Sequence, residues 1–453
     1  MKRLFINIGL AGMLLTGFSA CNKLQYTPQA SLKPDVVFQD VPGIQAAVYG
    51  CYSLLQGNMG NDQGDYAFDI ISMPESFSDN AVFNGTFPTR QEFSLFKITT
   101  ANLTNEGMYD MLYYAAVRTN DAIDRINAIK NMDGLTEEMK NDFLSQLYTI
   151  RAYAYFYLTC YYGNVPLVLQ ASTGETLDEN NDLPNTPQSQ IMDQIEKDLL
   201  WADDHIGSGG GGAYVSKATI EAFLARFYLH NGNYDKAKTY SEEVINSSGA
   251  SLDPSYDDIF ANVTASPEVL WYINYNTSNS NSIAFYFFNS DMGGRQEVAV
   301  RDPEMFGDST STDVRKATTI INGDVVYKYR HPGTGADPVI LFRLGEQYLI
   351  AAEAEARAGN FTNADTYLNA IRERANLNDT ALTASNYLDV ILEARRKELA
   401  FEMGGFRLLD LRRTGKAVDV LGTLGYVAPK CDLWPFPQAD RDANPNLKQN
   451  TGY

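Results

Sequence analysis

Histidine, cysteine, glycine and carboxylate residues are where this 453-residue chain could do chemistry, and their spacing argues against most of it. His205, His230 and His331 are the only imidazoles, and none belongs to an HExxH helix, which would turn two of them onto one face toward a metal. No GxSxG stretch builds a nucleophile elbow. Gly207, Gly209 and Gly212 of "GSGGGGA" satisfy GxGxxG, but a dinucleotide-binding turn follows a strand, and these glycines follow the helical pattern "IMDQIEKDLLWADDHI". They read as a flexible connection between helices. Cys51, Cys160 and Cys431 stand far apart without CxxC spacing, so neither a thiolate zinc site nor a disulfide framework is indicated. The 56 Asp and Glu residues leave a glycosidase pair open, because such a pair is defined by separation in space rather than along the chain. The expectation is a non-enzymatic protein with no metal chemistry and no cofactor.

Holding a ligand is a different demand, and two polar, irregular stretches meet it. Aromatic faces stack on the apolar faces of sugar rings, while Asn, Asp and Arg make directional hydrogen bonds to hydroxyls. "SDNAVFNGTFPTR" offers Asp79, Asn80, Phe83, Phe87 and Arg90, and "NSNSIAFYFFNSDMGGR" offers Phe285, Tyr286, Phe288 and Arg295. By contrast, "EVLWYINY" reads as a buried strand that keeps Trp271 in the core, and Trp434 is assigned to the core as well.

The elements that must carry these loops read mostly as helices. From Ser216 to Gly232, apolar residues fall at Ile220, Phe223, Leu224, Phe227 and Tyr228, one helical face, with Ser216 as N-cap and Gly232 as stop. Leu147, Ile150, Ala154, Tyr157, Leu158 and Tyr161 repeat that spacing before Gly163. "ARFYLHNGNYDKAKTY" from Ala225 and "AEAEARAGNFTNADTY" from Ala352 superpose Gly-Asn-aromatic-x-x-Ala, which looks like a tetratricopeptide helix pair. Their wide separation predicts that they do not form a continuous solenoid. The stretches 58–102 and 268–338 read as long irregular loops that the helices support. In "EARRKELAFEMGGFRLLDLRRTG", Glu393–Lys397 and Arg395–Glu398 are spaced to pair along one helix ahead of a tight Gly404-Gly405 turn.

The chain opens with Lys2 and Arg3, then an apolar run from Leu4 to Phe18 ending in Ser19-Ala20-Cys21, the order of a secretory signal. The run is shorter than the ~20 apolar residues of a spanning helix. It resembles a bacterial lipobox, which makes 1–20 a lipoprotein signal peptide, Cys21 the lipidated residue, and 21–34 a flexible tether. Beyond it lies enough apolar residue, 44% of the chain, for one large domain, 35–453, in two halves, 35–250 and 251–453. Formal charge is −20 and no basic cluster occurs, so nucleic acid is a poor partner.

The segment from Glu393 resembles the C-terminal signature of SusD/RagB-type nutrient-binding lipoproteins, Arg-Arg-x-Glu-Leu-x-Phe-Glu followed by aromatic-Arg-x-x-Asp-Leu-Arg-Arg. "IRAYAYFYLTCYYGNVPLV", "SKATIEAFLARFYLHNGNYDKA", "FRLGEQYLIAAEAEARAGN" and "LWPFPQADRDANPNLKQNTGY" agree with that family in the expected order. The resemblance implies a mainly α, tetratricopeptide-like scaffold with long loops and a few short strands. It also implies a lipoprotein anchored through Cys21 in the outer membrane, facing the cell exterior. There it would bind an oligosaccharide, or in RagB-like members a peptide, and act as a hinged lid on a SusC-like TonB-dependent transporter. A helical-repeat assembly scaffold without a small ligand is the remaining alternative.

Overall fold

The amphipathic periods fold as helices in a computed structural model that describes residues 34–57, 66–172 and 182–453. The expected signal peptide and Cys21 lie outside the described residues. The helices that matter here are α1 (Val41–Leu54), α2 (Tyr66–Ser76), α3 (Pro88–Ser94), α4 (Leu103–Ala128) and α5 (Glu137–Tyr162). There follow α6 (Gln188–His205), α7 (Lys217–His230), α8 (Tyr234–Ser247) and α9 (Ile283–Phe287). The C-terminal part supplies α10 (Leu344–Arg357), α11 (Phe361–Arg374), α12 (Tyr387–Leu399) and α13 (Phe406–Arg413). Local chemistry sets their ends. Ser216 accepts from the Thr219 amide at 3.3 Å to start α7, and Gly163, at φ 75°, stops α5 with a conformation that favours glycine.

In the series α1, α4, α5, α6, α7, α8, α10 and α11, each helix packs on the next. The two copies of the repeat, α7/α8 and α10/α11, are therefore neighbours, and the expectation that they do not form a continuous stack is corrected. The excursion 248–343 leaves the stack after α8 and returns at α10, which packs directly against α8. Bidentate ion pairs tie successive helices: Arg151 donates to Asp198 at 2.8 and 2.7 Å between α5 and α6, and Arg226 to Glu346 at 2.8 and 2.6 Å between α7 and α10. Phe227, on the predicted apolar face of α7, is 1% exposed.

Strands are few: β1 (Ala81–Phe83), β2 (Val269–Ile273), β3 (Val298–Val300), β4 (Ile320–Ile321), β5 (Val325–Val326) and β6 (Val339–Arg343). Among the described residues they form three antiparallel pairs, β1–β3, β2–β6 and β4–β5. Trp271 on β2 and Trp434 are both buried, as expected.

Three local expectations change. Residues 66–76 are a helix rather than loop; Asp69, Ser72, Glu75 and Ser76 recur at helical spacing, although all of α2 except Asp69 is buried. The glycine run does connect α6 to α7, but it is pinned, since the Tyr272 amide donates to the Gly212 carbonyl at 2.9 Å. Arg395 does not pair with Glu398. It reaches Asp410 at 2.7 Å, while Glu398 turns inward to Arg343 and Arg315. Glu393–Lys397 forms at 3.5 Å.

Candidate ligand-binding face

Pairing of β1 with β3, in the register Ala81↔Val300 and Phe83↔Val298, brings the two predicted stretches together. The contact continues beyond the strands: the Asn84 amide donates to the Glu297 carbonyl at 2.8 Å and the Thr86 amide to Glu297 Oε2 at 3.0 Å. A Cβ on Gly85 would lie 1.8 Å from that Oε2 and 2.8 Å from the Glu297 Cα, so the close approach requires glycine. On the other side, the amides of Arg295, Gln296 and Glu297 donate to the carbonyls of Phe285, Phe288 and Tyr286 at 2.7, 2.7 and 2.8 Å. This folds 285–297 into a closed turn.

The result is a cluster of rings and guanidinium groups. Phe87 and Tyr286 meet edge to face with centroids 6.4 Å apart, and Phe285 stands edge-on to Tyr286 at 5.2 Å. All three are half-buried. Arg295 lies over Phe87 at 4.5 Å and pairs with Glu297 at 2.6 Å, with its own side chain 41% exposed. A half-buried aromatic surface beside an exposed planar cation can stack a sugar ring and donate to its hydroxyls.

The remaining predicted residues have other work. Arg90 is 5% exposed; it pairs with Asp69 at 2.8 Å and lies 4.6–4.9 Å from the ring centroids of Phe68, Phe87 and Tyr286. It supports the rings from beneath, where cation–π contact in a desolvated setting is strongest. Asn80 is fully buried between Glu75, to which it donates at 2.6 Å, and Arg396, from which it accepts at 2.8 Å. Asp79 accepts from Arg407 at 2.7 and 2.8 Å. Burial alone would raise its pKa, but Arg407 and Arg396 hold it below the usual carboxylate range. Both residues therefore weld the loop to the C-terminal signature helices, apart from the ring cluster. Phe288 is 3% exposed and stacked on Tyr327 at 5.9 Å. Phe83 is half-buried on β1, outside the ring cluster. The supports that sequence reasoning missed are Phe68 on α2 and Glu297.

No group of three or more His, Cys, Asp or Glu among the described residues could hold a metal. Cys51, Cys160 and Cys431 are free and buried, and the thiols of Cys51 and Cys160 are pushed above their usual range by that burial, Cys51 to about 12.

Comparison with known proteins bears on this arrangement. The SusD family profile matches residues 173–453, and a second, described as starch-binding associating with outer membrane, matches 46–229. The chain belongs to the SusD family. Among curated SusD-family relatives, SusD-like protein P2 of Formosa agariphila is 26% identical, over 97% of this chain and 98% of its own length. A solved laminarin binding SusD-like protein superposes with a TM-score of 0.79 at 22% identity, covering 92% of this chain and 100% of the other. Surface glycan-binding protein A from Bacteroides thetaiotaomicron, solved in complex with laminarihexaose, gives 0.77 at 21% identity, covering 90% and 99%. The helical-repeat scaffold is thus the SusD scaffold.

Proposed function

We propose that this protein is a cell-surface lipoprotein that binds a neutral oligosaccharide on the face made by Phe87, Phe285, Tyr286 and Arg295. It then passes the sugar, as a hinged lid, to a SusC-like TonB-dependent transporter of the outer membrane. The observation that carries the reading is the half-buried ring cluster, backed by Arg90, at the meeting of two loops joined by backbone hydrogen bonds. Glycan-binding SusD neighbours support the ligand class, and the outer-membrane description of the second matching family supports the location. Binding and delivery require no bond to be broken, so the protein acts as a carrier rather than a catalyst.

Phe87→Ala and Tyr286→Ala are each expected to weaken binding of the cognate oligosaccharide by about 1–3 kcal/mol, the scale of a lost stacking platform, or roughly five- to 150-fold. Calorimetry with a panel of neutral glucans, laminarihexaose among them, reads this directly. Parent-like affinity in both variants would move the site elsewhere, and a parent that binds peptides but no glycan would replace the ligand class.

The lid role has its own test. Mild detergent extraction should recover a TonB-dependent transporter in comparable amount with the protein, and Cys21→Ser should release the protein from the membrane fraction. Recovery without a transporter removes the lid; a processed Cys21→Ser protein that still sediments with membranes removes the anchor.

A further inference from the structure

We infer that the cleft between α1, the turn at Ala213–Tyr214 and the end of β2 is a second sugar subsite, sized for one neutral pyranose ring. The inference takes its ligand class from the glycan reading above but rests on a different set of residues.

The cleft has a volume of about 210 Å³, below the ~300–1,000 Å³ of a pocket for a drug-sized ligand. Its mouth is aromatic. Tyr49 on α1 and Tyr214 are 41% and 39% exposed, and their rings lie 4.9 Å apart at 33°, a splayed pair open to solvent. Tyr52 stands edge-on behind Tyr214 at 5.3 Å, and Trp271 edge-on behind Tyr52 at 6.2 Å. Neither Tyr49 nor Tyr214 belongs to the buried core.

The positions of these rings are fixed rather than incidental. The Val215 amide donates to the Tyr52 hydroxyl at 2.9 Å, and Tyr52 in turn donates to Gln146 at 2.8 Å. The indole of Trp271 donates to the Ala213 carbonyl at 3.3 Å. The pinned glycine run therefore serves to present Tyr214 against α1.

The polar lining decides the ligand. Among the described residues, none that lines the cleft carries a charge, in a chain with 36 Lys and Arg and 56 Asp and Glu. A charged peptide end, a phosphate or a uronic acid would enter without a counter-ion. What the wall offers instead are neutral planar or hydroxyl groups, Tyr272 and Asn274 among them, next to ring faces, which is the chemistry of a neutral sugar.

The cleft is also placed to share a ligand with the first site. Its lining residue Gln56 precedes Gly57, where a Cβ would lie 2.4 Å from the Tyr66 Cβ, while Phe68, two residues along α2, lies 5.0 Å from Tyr286. Cleft and ring cluster thus flank the first turn of α2.

The test uses the full-length protein with the first site removed, Phe87→Ala/Tyr286→Ala, titrated with laminarihexaose, maltohexaose and cellohexaose while tryptophan emission is followed. Trp271 is in the cleft wall, whereas Trp201 is stacked on His205 and Trp434 on Tyr161, so a change in emission reports the cleft. The expected result is saturable residual binding that Tyr49→Ala/Tyr214→Ala weakens at least ten-fold with no change in melting temperature. If the parent binds a hexasaccharide and the first-site variant retains none, or retains binding that the tyrosine variants do not alter, the second subsite is wrong and the glycan reading stands. A parent that binds none of the three overturns both.

Discussion

Arg343→Ala is expected to cost roughly 3–5 kcal/mol of folding stability, because it strands buried carboxylates rather than a surface charge. Arg343 is 1% exposed and donates to Glu268 and Glu398 at 2.7 Å each and to Glu402 at 2.8 and 2.9 Å. Glu398 and Glu402 come from the signature segment, Glu268 precedes β2, and Arg343 itself ends β6, so one guanidinium joins three parts of the fold. Burial would raise the pKa of Glu398; Arg374, Arg343 and Arg315 together hold it far below the carboxylate range. Arg343→Lys keeps the charge without the fork and should fall between parent and alanine. Denaturant titration measures the series. A loss under about 1 kcal/mol for alanine would mean that Arg374, Arg315 and Lys328 neutralise the cluster without it.

Trp434→Ala should destabilise the protein on a similar scale, roughly 3–5 kcal/mol. Its ring is fully buried, stacked on Tyr161 at 4.3 Å and edge-on to Phe93 at 5.1 Å, and its amide donates to the Tyr161 carbonyl at 2.7 Å. The C-terminal tail is thereby fastened to α5 and α3. The indole N–H finds no acceptor among the described residues, so Trp434→Phe, which removes that buried donor and keeps most of the ring contact, should cost much less than alanine. Equal losses for the two would show that the stacking geometry, not the volume, carries the energy.

What the sequence disclosed follows from what each residue type can signal alone. Phe227 announces its place because the apolar period of α7 points it inward, and Ser216 announces a cap because its hydroxyl accepts from a backbone amide nearby in the chain. The loops Asp79–Arg90 and Phe285–Arg295 were visible as aromatic and polar mixtures, and strand pairing does bring them together. Composition could not say which of their residues face outward. Asn80 and Asp79 are consumed by Arg396 and Arg407, more than three hundred positions away, and no local pattern encodes such a partner. Arg395 illustrates the same limit, since helical spacing offered Glu398 at i+3 while the partner in space is Asp410, fifteen residues on.

The seam between α8 and α10 has a consequence for how such proteins diversify. Because those two helices pack directly, the ends of the 248–343 excursion are held together by the stack whatever the excursion contains. Lengthening a loop whose ends are already closed costs only about 0.6 kcal/mol per doubling. The ligand loops inside that segment and after α2 can therefore be reshaped between homologues, provided that Glu268, Arg315 and Arg343, which clamp the excursion to the signature segment, are kept.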